Sequence, residues 1–210
     1  MHISNGITCR DFPCTDVKHA GYRLPDLEVD PETISIVLIS EAAPLDPADD
    51  YYVNGAPQPG SLFEQTTVLA FQDAGAEVAS LQDVLALGVY CTNGIKCAKA
   101  AYTVKAATVN ACAALLEQEL ARFPNVQAYL LMGDVAIRAL NAIARRAGEP
   151  RVIPAGSTYK IRGAEYRLGD RFGCARVFPS YLQAGPSFFI EKSKRAMIAE
   201  DITAALKLRA

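Results

Sequence analysis

The chain has 210 residues, half of them hydrophobic, and a formal net charge of −2. This length supports one globular domain with a full hydrophobic core, and we expect residues 1–210 to form a single domain. A protein that coats nucleic acid without sequence preference is usually basic, so the acidic balance excludes such a coat and allows only a local DNA-binding patch.

Four apolar segments are predicted as buried strands. In chain order they are Ile34–Ile39, Ala86–Cys91, Val126–Met132 and Cys174–Phe178. Thr92–Asn93–Gly94 after the second segment is a turn signal. Continuous apolar runs of this length are typical of parallel strands that are covered on both faces.

Helical patterns alternate with these strands. They cover Leu62–Ala74, Thr108–Arg122, Asp134–Ala147 and Ser187–Leu208, with Asp134 as the expected cap of the third helix. Alternating strands and helices predict a three-layer α/β/α sandwich with a central, mostly parallel four-stranded sheet. Residues 151–171 break the pattern, and Lys160–Arg167 predicts a small β-hairpin insertion that turns about Gly163.

Six cysteines occur in a chain whose N-terminus has no basic region followed by an apolar stretch. We therefore expect a cytoplasmic protein without membrane contact, whose thiols stay reduced. The predicted ligand set is Cys9, Cys14, Cys97 and Cys112. Four thiolates suit [4Fe–4S], [2Fe–2S] or structural zinc. The alternative is that Cys97 and Cys112 are small core residues.

Two further cysteines, Cys91 and Cys174, lie inside predicted strands and are assigned to the core.

The order of several short motifs resembles the family-four, iron–sulfur enzymes of the uracil-DNA glycosylase superfamily. The motifs are a strand followed by SEAAP, a G-x-L-F helix start, CTNGIKC, a cysteine 15 residues after the second cysteine of that motif, and FPSYL. The family members resemble one another in a GEAPG loop, a TN-x-x-KC motif, a later cysteine and an HPS-x-L loop. The likeness covers nearly the whole chain from Cys9.

This resemblance implies a role for each matching residue. The four-cysteine set falls where the family holds its [4Fe–4S] cluster, and zinc is the less favoured occupant. Glu41 matches the acidic residue of the first motif, and Asn93 matches the asparagine that reads the edge of uracil. Phe178 stands where the family has a histidine, so the usual donor to the departing base is missing. Tyr51 or Tyr52 is expected to supply the face that stacks on the base.

The implied reaction, excision of uracil, requires the nucleotide to be flipped out of the stack and its edge to be read in a pocket. The amide of Asn93 can both donate and accept a hydrogen bond there, although a turn asparagine is the simpler alternative. The carboxylate of Glu41 would stabilise positive charge on the sugar, the alternative being a solvated loop acid. Another donor, such as Ser180, would have to replace the histidine.

Contact with DNA is expected near the end of the chain. Ser180, Tyr181 and Leu182 would form a loop that enters the minor groove, with Leu182 as the apolar wedge. Lys192, Lys194 and Arg195 would meet phosphates, although they would equally suit an ordinary solvated helix face.

The first hypothesis is a monomeric DNA glycosylase with a structural iron–sulfur cluster, acting on uracil or another deaminated base. The alternative is a weak or inactive relative that binds nucleic acid or a partner protein. A redox or zinc-binding protein is the third hypothesis.

Overall fold

The continuous apolar segments form the central sheet in the computed structural model, which describes residues 1–209. The strands in chain order are β1 (Val17–Lys18), β2 (Ile36–Ala42), β3 (Tyr52–Val53), β4 (Ala56–Pro57), β5 (Val89–Ile95), β6 (Ala98–Lys99), β7 (Ala128–Met132), β8 (Tyr166–Arg167) and β9 (Arg176–Ser180). The central sheet has the order β5-β2-β7-β9-β8, and its first four strands are parallel. The short β8 pairs antiparallel with β9.

Helices cover both faces of this sheet. They are α1 (Leu62–Asp73), α2 (Leu81–Ala86), α3 (Ala106–Leu120), α4 (Asp134–Arg146), α5 (Thr158–Ile161), α6 (Ser187–Ile190) and α7 (Lys192–Leu206). One face packs against α3 and α4, and the other packs against α1, α2 and α7. The predicted three-layer α/β/α sandwich is therefore confirmed, with β8 as a fifth strand beside the four that were expected.

Side-chain caps explain where two of the helices begin. The Ser61 hydroxyl accepts from the Glu64 N–H at the start of α1. At α2, Ser80 and Asp83 form a reciprocal capping box, which satisfies backbone donors that a helix start leaves free. Helix α4 differs from the prediction, because Gly133 is its N-cap and Asp134 is already its first residue.

Three local predictions are wrong. Thr92–Asn93–Gly94 is not a turn, because β5 continues to Ile95 and Asn93 pairs with Ser40 of β2. No hairpin turns about Gly163: α5 occupies Thr158–Ile161, and β8 pairs with β9 instead. Cys174 is exposed in a loop before β9, whereas Cys91 is fully buried in β5 as predicted.

The N-terminal segment is held against the middle of the chain. Strand β1 pairs antiparallel with β6, so that Val17 lies opposite Lys99. The Asp16 carboxylate accepts from the backbone N–H of Lys105 and from the hydroxyl of Thr108, at the start of α3. None of the helices within residues 1–209 has the length and apolar character needed to cross a membrane.

Candidate active site

The carboxylate of Glu41 is fixed near the carboxyl end of β2. Its Oε2 lies 2.6 Å from the ammonium of Lys99, and its Oε1 lies 3.5 Å from the backbone N of Val135 in the first turn of α4. Gly133 has φ +103°, and a Cβ there would come within 2.6 Å of the Glu41 Oε1. Glycine is thus required to leave room for this carboxylate.

An open cleft of about 440 Å³ has Glu41 in its wall. Ligands of open α/β sheets characteristically bind at the carboxyl ends of parallel strands, which is where this cleft lies. The structure brings several of the predicted residues together here; the wall includes Glu41, Lys99, Tyr102, Arg138, Tyr181, Leu182, Glu191 and Lys194.

A second, smaller cavity adjoins the same carboxylate. Its volume is about 180 Å³, and it is lined by Ser40, Glu41, Ala42, Ala43, Pro44, Phe63, Lys99, Leu182 and Ala184. Liquid water takes about 30 Å³ per molecule, so this space matches one small ring rather than a large ligand. Because Glu41, Lys99 and Leu182 line both spaces, the cleft and the small cavity share one charged wall.

The amide of Asn93 is buried, with 4% of its surface exposed, and it lines neither the cleft nor the small cavity. Strand register places it next to Ser40, which lines the small cavity. The Asp50 carboxylate lies nearby, and burial raises its pKa. Among the described residues, nothing donates to the Asn93 Oδ1. A buried acceptor without a donor is uncommon, and a bound ligand is one way to satisfy it.

Tyr51 and Tyr52 lie in the core rather than in the cleft wall. Tyr51 is fully buried, and its hydroxyl bonds Ser40 and Gln183. The Tyr52 hydroxyl accepts from the backbone N–H of Cys91 at 3.1 Å. Neither ring presents a free face, which differs from the expected stacking role.

Phe63 is the aromatic residue that lines the small cavity, and it was not among the predicted site residues. It is the second residue of α1 and the last residue of Gly60–Phe63, the G-x-L-F segment of the sequence. That motif was the signal from which Phe63 could have been chosen.

Gln183 is a second residue that was not predicted. Its side chain is fully buried, and Nε2 donates to the Tyr51 hydroxyl at 2.6 Å and to the Thr67 hydroxyl at 3.2 Å. Nε2 also donates to the hydroxyl of Ser40 in β2 at 3.1 Å. Together these bonds tie the loop after β9 to α1 and β2, and so hold Leu182 at the shared wall.

Ser180 and Phe178 do not face the cleft as exposed groups. Ser180 is fully buried, and its hydroxyl donates to the Asp201 carboxylate at 2.6 Å. Phe178 is buried within β9, with the Arg176 guanidinium 5.1 Å from its ring centroid. Neither side chain is free to donate a hydrogen bond to a departing base.

The three predicted basic residues of the last helix point to different places. Lys194 lines the cleft and lies 2.6 Å from Glu191. Arg195 pairs with Asp73 of α1. Lys192 lines a separate groove between α1 and α7. The structure thus places only Lys194 of these three with Glu41.

The four predicted ligand cysteines converge from distant parts of the chain. Cys14 lies three residues before β1, and Cys97 directly precedes β6, the strand that pairs with β1. Cys112 follows Thr108 by one turn of α3, and Thr108 is bonded to Asp16. The Cys9 N–H donates to the Tyr22 hydroxyl at 3.0 Å. Backbone pairing therefore draws the N-terminal thiols towards the other two.

Electrostatic coupling supports this proximity. The pKa of the Cys97 thiol is raised to about 12, first by burial and then by the neighbouring thiols of Cys112, Cys14 and Cys9. Burial also raises the pKa of Cys112, and the nearby backbone and charge of Lys96 partly offset that rise. Within the part of the chain that the structure describes, no group of three or more His, Cys, Asp or Glu side chains is placed to hold a metal ion.

A buried ion pair involves Lys96, which lies between Asn93 and Cys97 in the sequence. Lys96 and Glu119 are both fully buried and in contact. Glu119 also accepts from the hydroxyls of Tyr90 at 2.7 Å and Thr92 at 2.6 Å. Burial and then the Glu119 charge raise the pKa of Tyr90 well above its usual range. The network anchors β5 and the segment after it to α3.

Neither a protein-family model nor a curated protein matches the chain.

Proposed function

We propose that this chain is a DNA glycosylase of the uracil-DNA glycosylase superfamily, which hydrolyses the N-glycosidic bond of uracil or another deaminated base. The observation that carries the proposal is the Glu41 carboxylate, held by Lys99 in a wall that an open cleft shares with a cavity of single-ring size. DNA would lie along the cleft, and the flipped base would enter the small cavity.

In this proposal each neighbouring group has a role. Glu41 stabilises the positive charge that develops on the sugar as the bond breaks. The unpaired Oδ1 of Asn93 supplies an acceptor for a base N–H. Phe63 in the cavity lining supplies the aromatic surface that Tyr51 and Tyr52, both buried, do not.

The departing base leaves with negative charge, and Phe178 cannot donate a hydrogen bond to it. Lys99 lines the small cavity and carries a positive charge. We assign to Lys99 the stabilisation of the leaving base, because a cation held at the site of developing negative charge lowers the barrier. The sequence CAKA places this lysine two residues after Cys97.

The proposal includes an iron–sulfur cluster held by Cys9, Cys14, Cys97 and Cys112. The support for this group is that β1 pairs with β6, which brings the N-terminal segment beside Cys97, and that the other three thiols influence the pKa of Cys97. It would cross-link the N-terminal segment to the core. A monomer in the cytoplasm completes the proposal, because ligand thiols must stay reduced.

The direct test is base excision from oligonucleotides that contain uracil, hypoxanthine or xanthine, in single-stranded and duplex DNA. We expect abasic product from at least one of the three bases, detected as strand cleavage after alkali. No product from any substrate, with iron-loaded and folded protein, would overturn the catalytic proposal.

A second candidate function is that of an inactive relative that binds nucleic acid or a partner protein. The observation that favours it is Phe178, which is buried and stands in place of the motif histidine. Retained DNA binding without excision would support this candidate.

Cys112→Ser is expected to remove the cluster and destabilise the fold. A cross-link that closes a long loop typically adds about 2–4 kcal/mol to the free energy of unfolding. Its loss should therefore lower Tm by about 5–15 °C in a chain of this size. Iron analysis, visible absorption and thermal melting measure the effect. Cys174→Ser is the matched control, because Cys174 is exposed and outside the set. Unchanged iron content and Tm in Cys112→Ser, or stoichiometric zinc in the wild type, would contradict the cluster.

A further inference from the structure

A third cavity, the arginine pocket, lies between α3 and α4 and has no role in the proposed chemistry. Its volume is about 420 Å³, and its lining residues include Arg138, Arg145 and Arg151. Glu149 is the carboxylate in this lining, so three positive charges and one negative charge leave a net charge of +2. The carboxylate of Glu149 packs against the backbone at Gly169.

Two of these arginines are available to a ligand. Arg145 and Arg151 are exposed, and among the described residues neither forms an ion pair. Arg138 lies 3.5 Å from Asp134, which is itself exposed. Asn141 bonds both the N–H and the carbonyl of Ile153 at 3.0 Å. These bonds hold the segment with Arg151 against α4, so the pocket is a built feature.

The arginine pocket is continuous with the cleft, because Arg138 lines both. Arg138 and Arg145 are seven residues apart on α4, which is about 10.5 Å along the helix axis. A strand that leaves the cleft and follows α4 would therefore meet Arg138 first and Arg145 beyond it.

An exposed aromatic ring stands on this path. Tyr102 lines the cleft and is 93% exposed, and the Lys99 ammonium lies 5.9 Å from its ring centroid. Packing within the chain does not account for such a ring. A tyrosine face beside a positive groove is the arrangement on which single-stranded bases stack.

We propose that single-stranded DNA is the substrate form, running from the cleft across Tyr102 into the arginine pocket, where its phosphates bind Arg138, Arg145 and Arg151. This inference rests on the proposed function and names its strand context. Duplex bases are already stacked on one another, so they cannot use the Tyr102 face.

We call this path of the strand, from the cleft across Tyr102 into the arginine pocket, the track. The charges of the cleft indicate on which side of the excised base the strand is held more strongly. Lys99 pairs with Glu41, and Lys194 pairs with Glu191. These pairs contribute little net charge, and the excess positive charge lies on Arg145 and Arg151. The strand therefore gains most of its phosphate attraction on the arginine-pocket side of the excised base.

Binding of a labelled, uracil-free single strand to the full-length protein tests the track without any turnover. Removing both exposed arginines, in Arg145→Ala/Arg151→Ala, is expected to weaken binding about tenfold at low salt. The slope of log K against log salt should fall by about 1.4, because each phosphate contact on a single strand contributes about 0.7. The charge-matched control is Lys207→Ala/Arg209→Ala; Arg209 lines a cavity beside Ser35, before β2 begins.

Tyr102→Ala should weaken the same binding roughly 5- to 100-fold, and Tyr102→Phe should retain it, since stacking on one ring is worth about 1–3 kcal/mol. Equal binding by the arginine variant and its control, preference for duplex, or full competition by inorganic phosphate at constant ionic strength would each overturn the track. Strand binding with no excision would leave the track standing and reject the glycosylase.

Discussion

Glu41→Gln is expected to lower the rate of base excision by about 10²–10³, the usual loss when one preorganised electrostatic group is removed from a site. The glutamine keeps the size of the side chain but cannot neutralise positive charge on the sugar. Stability should change by no more than about 1 kcal/mol, because the Glu41–Lys99 pair is partly solvated, with 15% and 25% of the side chains exposed. Single-turnover kinetics and thermal melting measure the two effects separately.

Glu191→Gln is the matched control for this result. Glu191 lines the same cleft and lies 2.6 Å from Lys194, as Glu41 does from Lys99. The control also removes one carboxylate from a lysine pair in the cleft, but away from the small cavity. Equal losses in the two variants would mean that general electrostatics, and not the position of Glu41, governs the rate.

Lys96→Met is expected to destabilise the fold by about 3–5 kcal/mol, because it leaves the Glu119 carboxylate buried without its counter-charge. Tyr90 and Thr92 would still donate to that carboxylate, but neutral donors do not replace a cation. Urea denaturation of iron-loaded protein measures the loss.

The double variant Lys96→Met/Glu119→Gln should recover part of the lost stability. Glutamine keeps an acceptor for Tyr90 and Thr92 while removing the isolated charge, and breaking a buried pair costs more than replacing both partners. Lys160→Met is the surface control, since Lys160 is exposed. A loss below about 1 kcal/mol in Lys96→Met, equal to that of the control, would show that the pair is not held as described.

This buried pair connects the two parts of the proposal. Lys96 lies between Asn93 and Cys97 in the sequence. A single short segment therefore carries the amide proposed to read the base and one thiol of the proposed cluster, and the ion pair with Glu119 fixes this segment to α3. Loss of the pair should lower iron content as well as stability.

The sequence by itself determined the architecture. Continuous β-branched runs such as Ile36–Ile39 bury both faces only in a covered parallel sheet, and the alternating helical patterns supply the two cover layers. Cys91 was assigned to the core for the same reason. Local sequence signals gave a wrong prediction where strand pairing outweighs them. Thr92–Asn93–Gly94 has the composition of a turn, but its residues continue β5 alongside β2.

Only the tertiary structure decided which side chains meet. Glu41 and Lys99 are 58 residues apart, and Gln183 reaches Tyr51 across 132 residues. Local periodicity places a residue on a face of its own element, but the neighbours of that face depend on how the elements cross. For this reason Tyr51 and Ser180, both polar and close to predicted site loops, lie in buried networks. Lys99, Phe63 and the arginine pocket, none of them singled out from the sequence, lie at or beside the cleft.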